Sequence, residues 1–83
     1  MKAAPDVITR EVEGGLVLVD VRSGECFHLN HTGGLVWSQL AAGASNEIAA
    51  EALSARFAIG RDQAVADVAQ LVSQLVAKSL LIQ

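Results

Sequence analysis

Cys26, His28 and His31 stand close together and are the side chains of this sequence best suited to bind a metal or attack a substrate. A zinc site needs four ligands, or three with an open position for water. Here there are three, with no fourth Cys or His near them in the sequence. A Cys–His nucleophile pair needs a thiol activated by a positioned imidazole, and a third group to orient the ring. Residues two apart on a strand share a face but stand roughly 7 Å apart, too far for a direct hydrogen bond. Asp20, Glu25 and Asp67 form no carboxylate pair for acid–base work. Gly14-Gly15 and Gly33-Gly34 lack the following Lys-Ser/Thr and the spacing of a phosphate loop. Trp37 falls on an apolar helical face, as a core residue does. The sequence therefore predicts no catalytic residue, no metal site and no cofactor. It directs attention to surfaces that bind.

The elements that position such a surface follow from composition and periodicity. The 83 residues are 52% hydrophobic and 18% charged, which suits one globular domain over 1–83 with a single core. The net charge of −3 offers no basic patch to phosphates, so nucleic acid is not an expected partner. One cysteine excludes an internal disulfide and suits a reducing, cytoplasmic location. No apolar run near Lys2 reads as a signal peptide, and none is long enough to span a membrane.

Residues 1–6 read as a loose tail, kept out of a helix by Pro5. Val7 to Val12 alternates as a half-buried edge strand does. After the Gly14-Gly15 turn, Leu16 to Val21 is apolar on both faces, like a central strand. A second short turn at Arg22-Ser23-Gly24 leads to a third strand, Glu25 to Leu29, with Phe27 and Leu29 toward the core and Cys26 and His28 away from it. Two short connections make an antiparallel meander whose third strand is an edge, with unpaired N–H and C=O groups. From Asn30 the period becomes helical. Asn30 or Thr32 caps a helix carrying Val36, Trp37, Leu40 and Ala41, which Gly43 ends. Ser45 or Asn46 caps a second helix buried through Ile48, Ala49, Ala52, Leu53 and Phe57. Gly60 caps a third, with Gln63 in a weak capping box. The predicted fold is α+β, three strands then three helices (βββααα), close to a winged helix-turn-helix. Leu80 to Ile82 pack back on the sheet or bundle.

The third helix has more apolar surface than a small core needs. Placed at about 100° per residue, Ala64, Val65, Val68, Ala69, Leu71, Val72, Leu75 and Val76 span an arc of about 160°, against a stripe of about 100° on an ordinary surface helix. The expected surplus is the Leu71–Leu75 side, bordered by Asp67 and Lys78. An uncovered helix flank beside an unpaired strand edge suits an extended peptide. Its backbone extends the sheet, and alternate side chains drop between strand and helix. Asp67 at the border is placed to hold a basic group of such a peptide. Self-pairing of two copies through the same edge is the competing use.

The spacing Val19-Asp20-x-x-Ser23-Gly24-x-x-x-x-Leu29-Asn30-x-Thr32-Gly33, with Trp37, Leu40 and Gly43, then Ala66-Asp67-Val68 and Leu80-Leu81, resembles the PqqD-like family. These are recognition elements for ribosomally made, post-translationally modified peptides. The resemblance covers about residues 7 to 82. It implies a winged-helix-like domain, not an enzyme, that takes the leader of a precursor peptide as an added strand along the third strand, beside the third helix. Carried over, the peptide-binding residues are Glu25, Cys26, Phe27, His28 and Leu29 on the strand and Ala64, Asp67, Val68, Leu71, Val72 and Leu75 on the helix. The Leu-Asn-x-Thr-Gly context is most similar to the small recognition proteins of lasso-peptide clusters. That likeness implies as partners a leader with a Tyr-x-x-Pro motif, a leader peptidase and a macrolactam-forming cyclase. The quinone-cofactor pathway member, whose partner is a radical enzyme, is the other relative. Cys26-Phe27-His28 departs from the pair of bulky aromatics often found before Leu-Asn. A DNA-binding winged helix is opposed by the acidic charge, by a second helix poor in base-reading side chains and by the lack of an Arg/Lys stripe.

Overall fold

Alternating β-branched residues and two glycine turns fold the first part of the chain into a meander, and the alanine-rich remainder into three helices. The computed structural model describes residues 1–82. In chain order the elements are β1 (Lys2–Ala3), β2 (Val7–Val12), β3 (Gly15–Asp20), β4 (Cys26–Asn30), α1 (His31–Ala41), α2 (Asn46–Arg56), α3 (Arg61–Ala77) and β5 (Leu81–Ile82). Strands β2, β3 and β4 form an antiparallel sheet in that spatial order, followed by the helices, which is the expected α+β arrangement. The second strand starts one residue earlier than expected, at Gly15, and the third extends one further, to Asn30. Gly14 and Gly15 both take positive φ. A Cβ on Gly15 would overlap the Leu29 carbonyl oxygen, so only glycine lets β3 and β4 meet there.

Leu18 and Leu29 from the sheet, Val36, Trp37 and Leu40 from α1, Ala49, Ala50 and Leu53 from α2, and Ala64, Val68 and Leu75 from α3 make one buried cluster. Gly34 sets α1 close against the sheet. A Cβ there would stand 3.3 Å from Leu16 Cγ. The Asn30 side chain accepts the Gly33 N–H and caps α1, and Ser45 accepts from Ile48 to cap α2. The expected capping box on α3 does not form. The Gln63 amide donates to Asp67 Oδ1 instead, at 2.7 Å, and Gly60 offers no side chain.

The loose tail expected over 1–6 is corrected at Lys2–Ala3, which pairs with Leu81–Ile82 in a second, two-stranded sheet. The reason is burial. Leu80 and Leu81 are in the core, and their backbone needs hydrogen-bond partners there. The Ala4 N–H donates to the Leu80 carbonyl at 3.0 Å, and Ala4 is itself buried.

Candidate functional site

Among the described residues, strand β4 is paired on one side only, by β3. The Asp20 N–H donates to the Glu25 carbonyl at 3.0 Å, which fixes the phase of the ladder. Hydrogen-bonded and non-bonded pairs alternate from there. With the register Leu18↔Phe27 and Leu16↔Leu29, the backbones of Phe27 and Leu29 face β3. Those of Cys26 and His28 face outward. Between Cys26 and Asn30 there is no Lys, Arg, Asp or Glu to obstruct the edge.

Helix α3 runs alongside and leaves a gap. The groove between them has a volume of about 490 Å³. Phe27, His28 and Leu29 form one wall and Asp67, Gln70, Leu71 and Gln74 the other, with Val36 and Leu53 beneath and Asn30, Thr32 and Gly33 at one end. At the other end lies a smaller cup of about 160 Å³, lined by Asp20, Glu25, Cys26, Phe27, Lys78 and Leu80. There the Lys78 Nζ sits 5.6 Å from the centre of the half-buried Phe27 ring. The terminal strand β5 pairs with β1 and does not enter the groove.

Of the residues singled out from the sequence, Phe27, His28, Leu29, Asp67 and Leu71 meet in the groove, and Glu25 and Cys26 lie in the cup. Ala64, Val68 and Leu75 do not reach either. They are at most 1% exposed and hold α3 to the core. Val72 is partly buried and packs against that core. The apolar surplus also differs from expectation. Leu75 is covered, and the exposed valines are Val65 and Val76, at 48% and 42%, on the opposite flank of α3. The helix is rotated so that the groove flank consists of Leu71 and a polar row. Gln70 and Gln74 in that row were missed by a search for apolar residues. Their signal is visible in the sequence, because they follow Asp67 at i+3 and i+7 on one side of the helix.

The candidate chemistry at Cys26 separates in space. Cys26 and His28 are exposed on β4, whereas His31 lines a different trough with Glu11, Arg56 and Phe57. Among the described residues no three His, Cys, Asp or Glu side chains gather to hold a metal ion. No helix among them is long and apolar enough to cross a membrane.

Comparison with known proteins identifies a family and two similar folds. Residues 15–81 match the family described as Coenzyme PQQ synthesis protein D (PqqD). No curated protein matches the sequence. Two solved structures resemble the whole fold. TbiB1 in complex with the TbiA(beta) leader peptide superposes with a TM-score of 0.88 at 27% identity, over 98% of this chain and 94% of that one. A lasso peptide synthetase B1 complexed with the leader peptide gives a TM-score of 0.88 at 30% identity, over 99% of this chain and 96% of that one.

Proposed function

The chain belongs to the PqqD family, and on that premise we propose that it is a non-catalytic module that binds the leader of a ribosomally made precursor peptide. The observation that carries this reading is the open edge of β4 beside the α3 groove. A leader laid there gains hydrogen bonds from Cys26 and His28 backbones, and its alternate side chains enter the space between Phe27, Leu29 and Leu71. The two similar structures, both complexes with leader peptides, support the same occupant.

The lasso-peptide context of the second favours delivery of the bound precursor to a leader peptidase and a cyclase. A leader with a Tyr-x-x-Pro motif then supplies a ring and a proline suited to the apolar parts of the groove. A radical modifying enzyme is the partner in the alternative, quinone-cofactor setting. The peptide-contacting set is Glu25, Cys26, Phe27, His28, Leu29, Asp67 and Leu71, with Gln70 and Gln74 added by the geometry.

The test is titration of labelled lasso-precursor leader peptides, with and without the Tyr-x-x-Pro motif, against the purified protein. The expected affinity is about micromolar or tighter, near −8 kcal/mol. Leu71→Asp puts an unpaired charge on apolar surface and weakens binding by more than about tenfold. Unchanged affinity in a folded Leu71→Asp protein removes the groove from the account.

A further inference from the structure

We infer that the groove selects its peptide by charge order, with a basic side chain set against Asp67 and an acidic one against Lys78, about four residues apart on the bound strand. The inference rests on the peptide-binding reading above and adds a sequence requirement to it.

Asp67 lies on the groove flank of α3 and lines the groove, and Lys78, the residue that caps the C-terminus of α3, lines the cup at the Cys26 end. The helix residues lining the wall between them, Gln70, Leu71 and Gln74, are uncharged. At about 1.5 Å per residue their Cα atoms are roughly 16 Å apart. Both side chains lean toward the helix N-terminus and the longer lysine leans further, so the two charged groups stand roughly 13 to 16 Å apart. That is the length of about four to five residues of extended chain, and of these two spacings four is the even one. An even separation also puts both peptide side chains on one face of the added strand.

Both charges are available. No ion pair among the described residues involves either one. Asp67 accepts from Gln63 through Oδ1, which leaves Oδ2. Around Lys78 stand two carboxylates. Asp20 is turned to Arg22, whose backbone N–H it accepts at 3.0 Å and whose Nε is 4.0 Å away. Glu25 is exposed at the rim and can be displaced. The apolar walls, Phe27 and Leu29 on one side and Leu71 on the other, reduce screening of any pair formed between them.

The experiment uses labelled synthetic peptides of about ten residues in an alternating Thr-Val frame. One carries Lys then Glu four residues later, one Glu then Lys, and one Gln at both places. Fluorescence anisotropy is read at low and high salt. One charged order is expected to bind wild type about tenfold more tightly than the other, with the preference fading in salt. In the Asp67→Lys, Lys78→Glu double variant the preference inverts. Equal binding of both orders to wild type, while Leu71→Asp still weakens all three peptides, overturns the charge rule and leaves the groove standing. A double variant that keeps the wild-type preference also overturns it. Failure of every peptide to bind wild type overturns the rule and counts against the groove as well.

Discussion

The sheet has two open edges, and they differ in how they are guarded. Strand β2, like β4, is paired among the described residues only by β3 and flanks a trough, here of about 640 Å³ against α1. The Val21 N–H donates to the Asp6 carbonyl, so the outward backbones of β2 are those of Val7, Thr9 and Glu11. The Val7 N–H is already taken by the Ala4 carbonyl at 3.2 Å. Arg10 and Glu11 place charges in the strand, and Glu13 adds another just beyond it. Strand β4 carries no charge within Cys26–Asn30, only Glu25 just before it. An unpaired edge is a hazard by default, and charge is the usual defence. The molecule defends one edge and leaves the other open, beside the groove assigned to a peptide.

This contrast can be broken at several points. The largest effect is expected at Leu18, wholly buried on the strand that both edges share. Leu18→Ala should cost about 2–5 kcal/mol in chemical denaturation. It should weaken both edges together rather than one alone. Next is His28→Pro, which removes an outward N–H without touching the ladder to β3. Calorimetry should show leader binding weakened about tenfold or more, with circular dichroism unchanged. Thr9→Pro does the same to β2 and should leave binding alone. If both proline variants lose binding equally, the edges are not distinct. Asn30→Ala deletes the cap that joins β4 to α1 and should cost about 1 kcal/mol of stability. The smallest effect is expected from Arg10→Thr with Glu11→Thr. Without those charges the β2 edge should show weak, concentration-dependent self-association by sedimentation.

Strands β2 and β4 were legible from alternation and β3 from a β-branched run apolar on both faces, with glycine marking each turn. Residue type narrowed the caps to Asn30 or Thr32 and to Ser45 or Asn46, and the hydrogen bonds select Asn30 and Ser45. The rotation of α3 could not. An arc of alanines and valines spreads too evenly to say which part faces the core. The chain solves this with Ala64, Val68 and Leu75, leaving Val65 and Val76 outside. The β1–β5 pair was also hidden. Strands of two residues carry no periodicity, and the need of Leu80 and Leu81 for backbone partners becomes visible only once they are buried.

That small pair sets Lys2 directly across from Ile82, on a sheet that shares no strand with the groove. Both ends of the described chain therefore leave the fold side by side. A host protein can carry this domain as a cassette in one of its surface loops, entering and leaving through adjacent points. The open edge of β4 and the groove beside it would survive the graft.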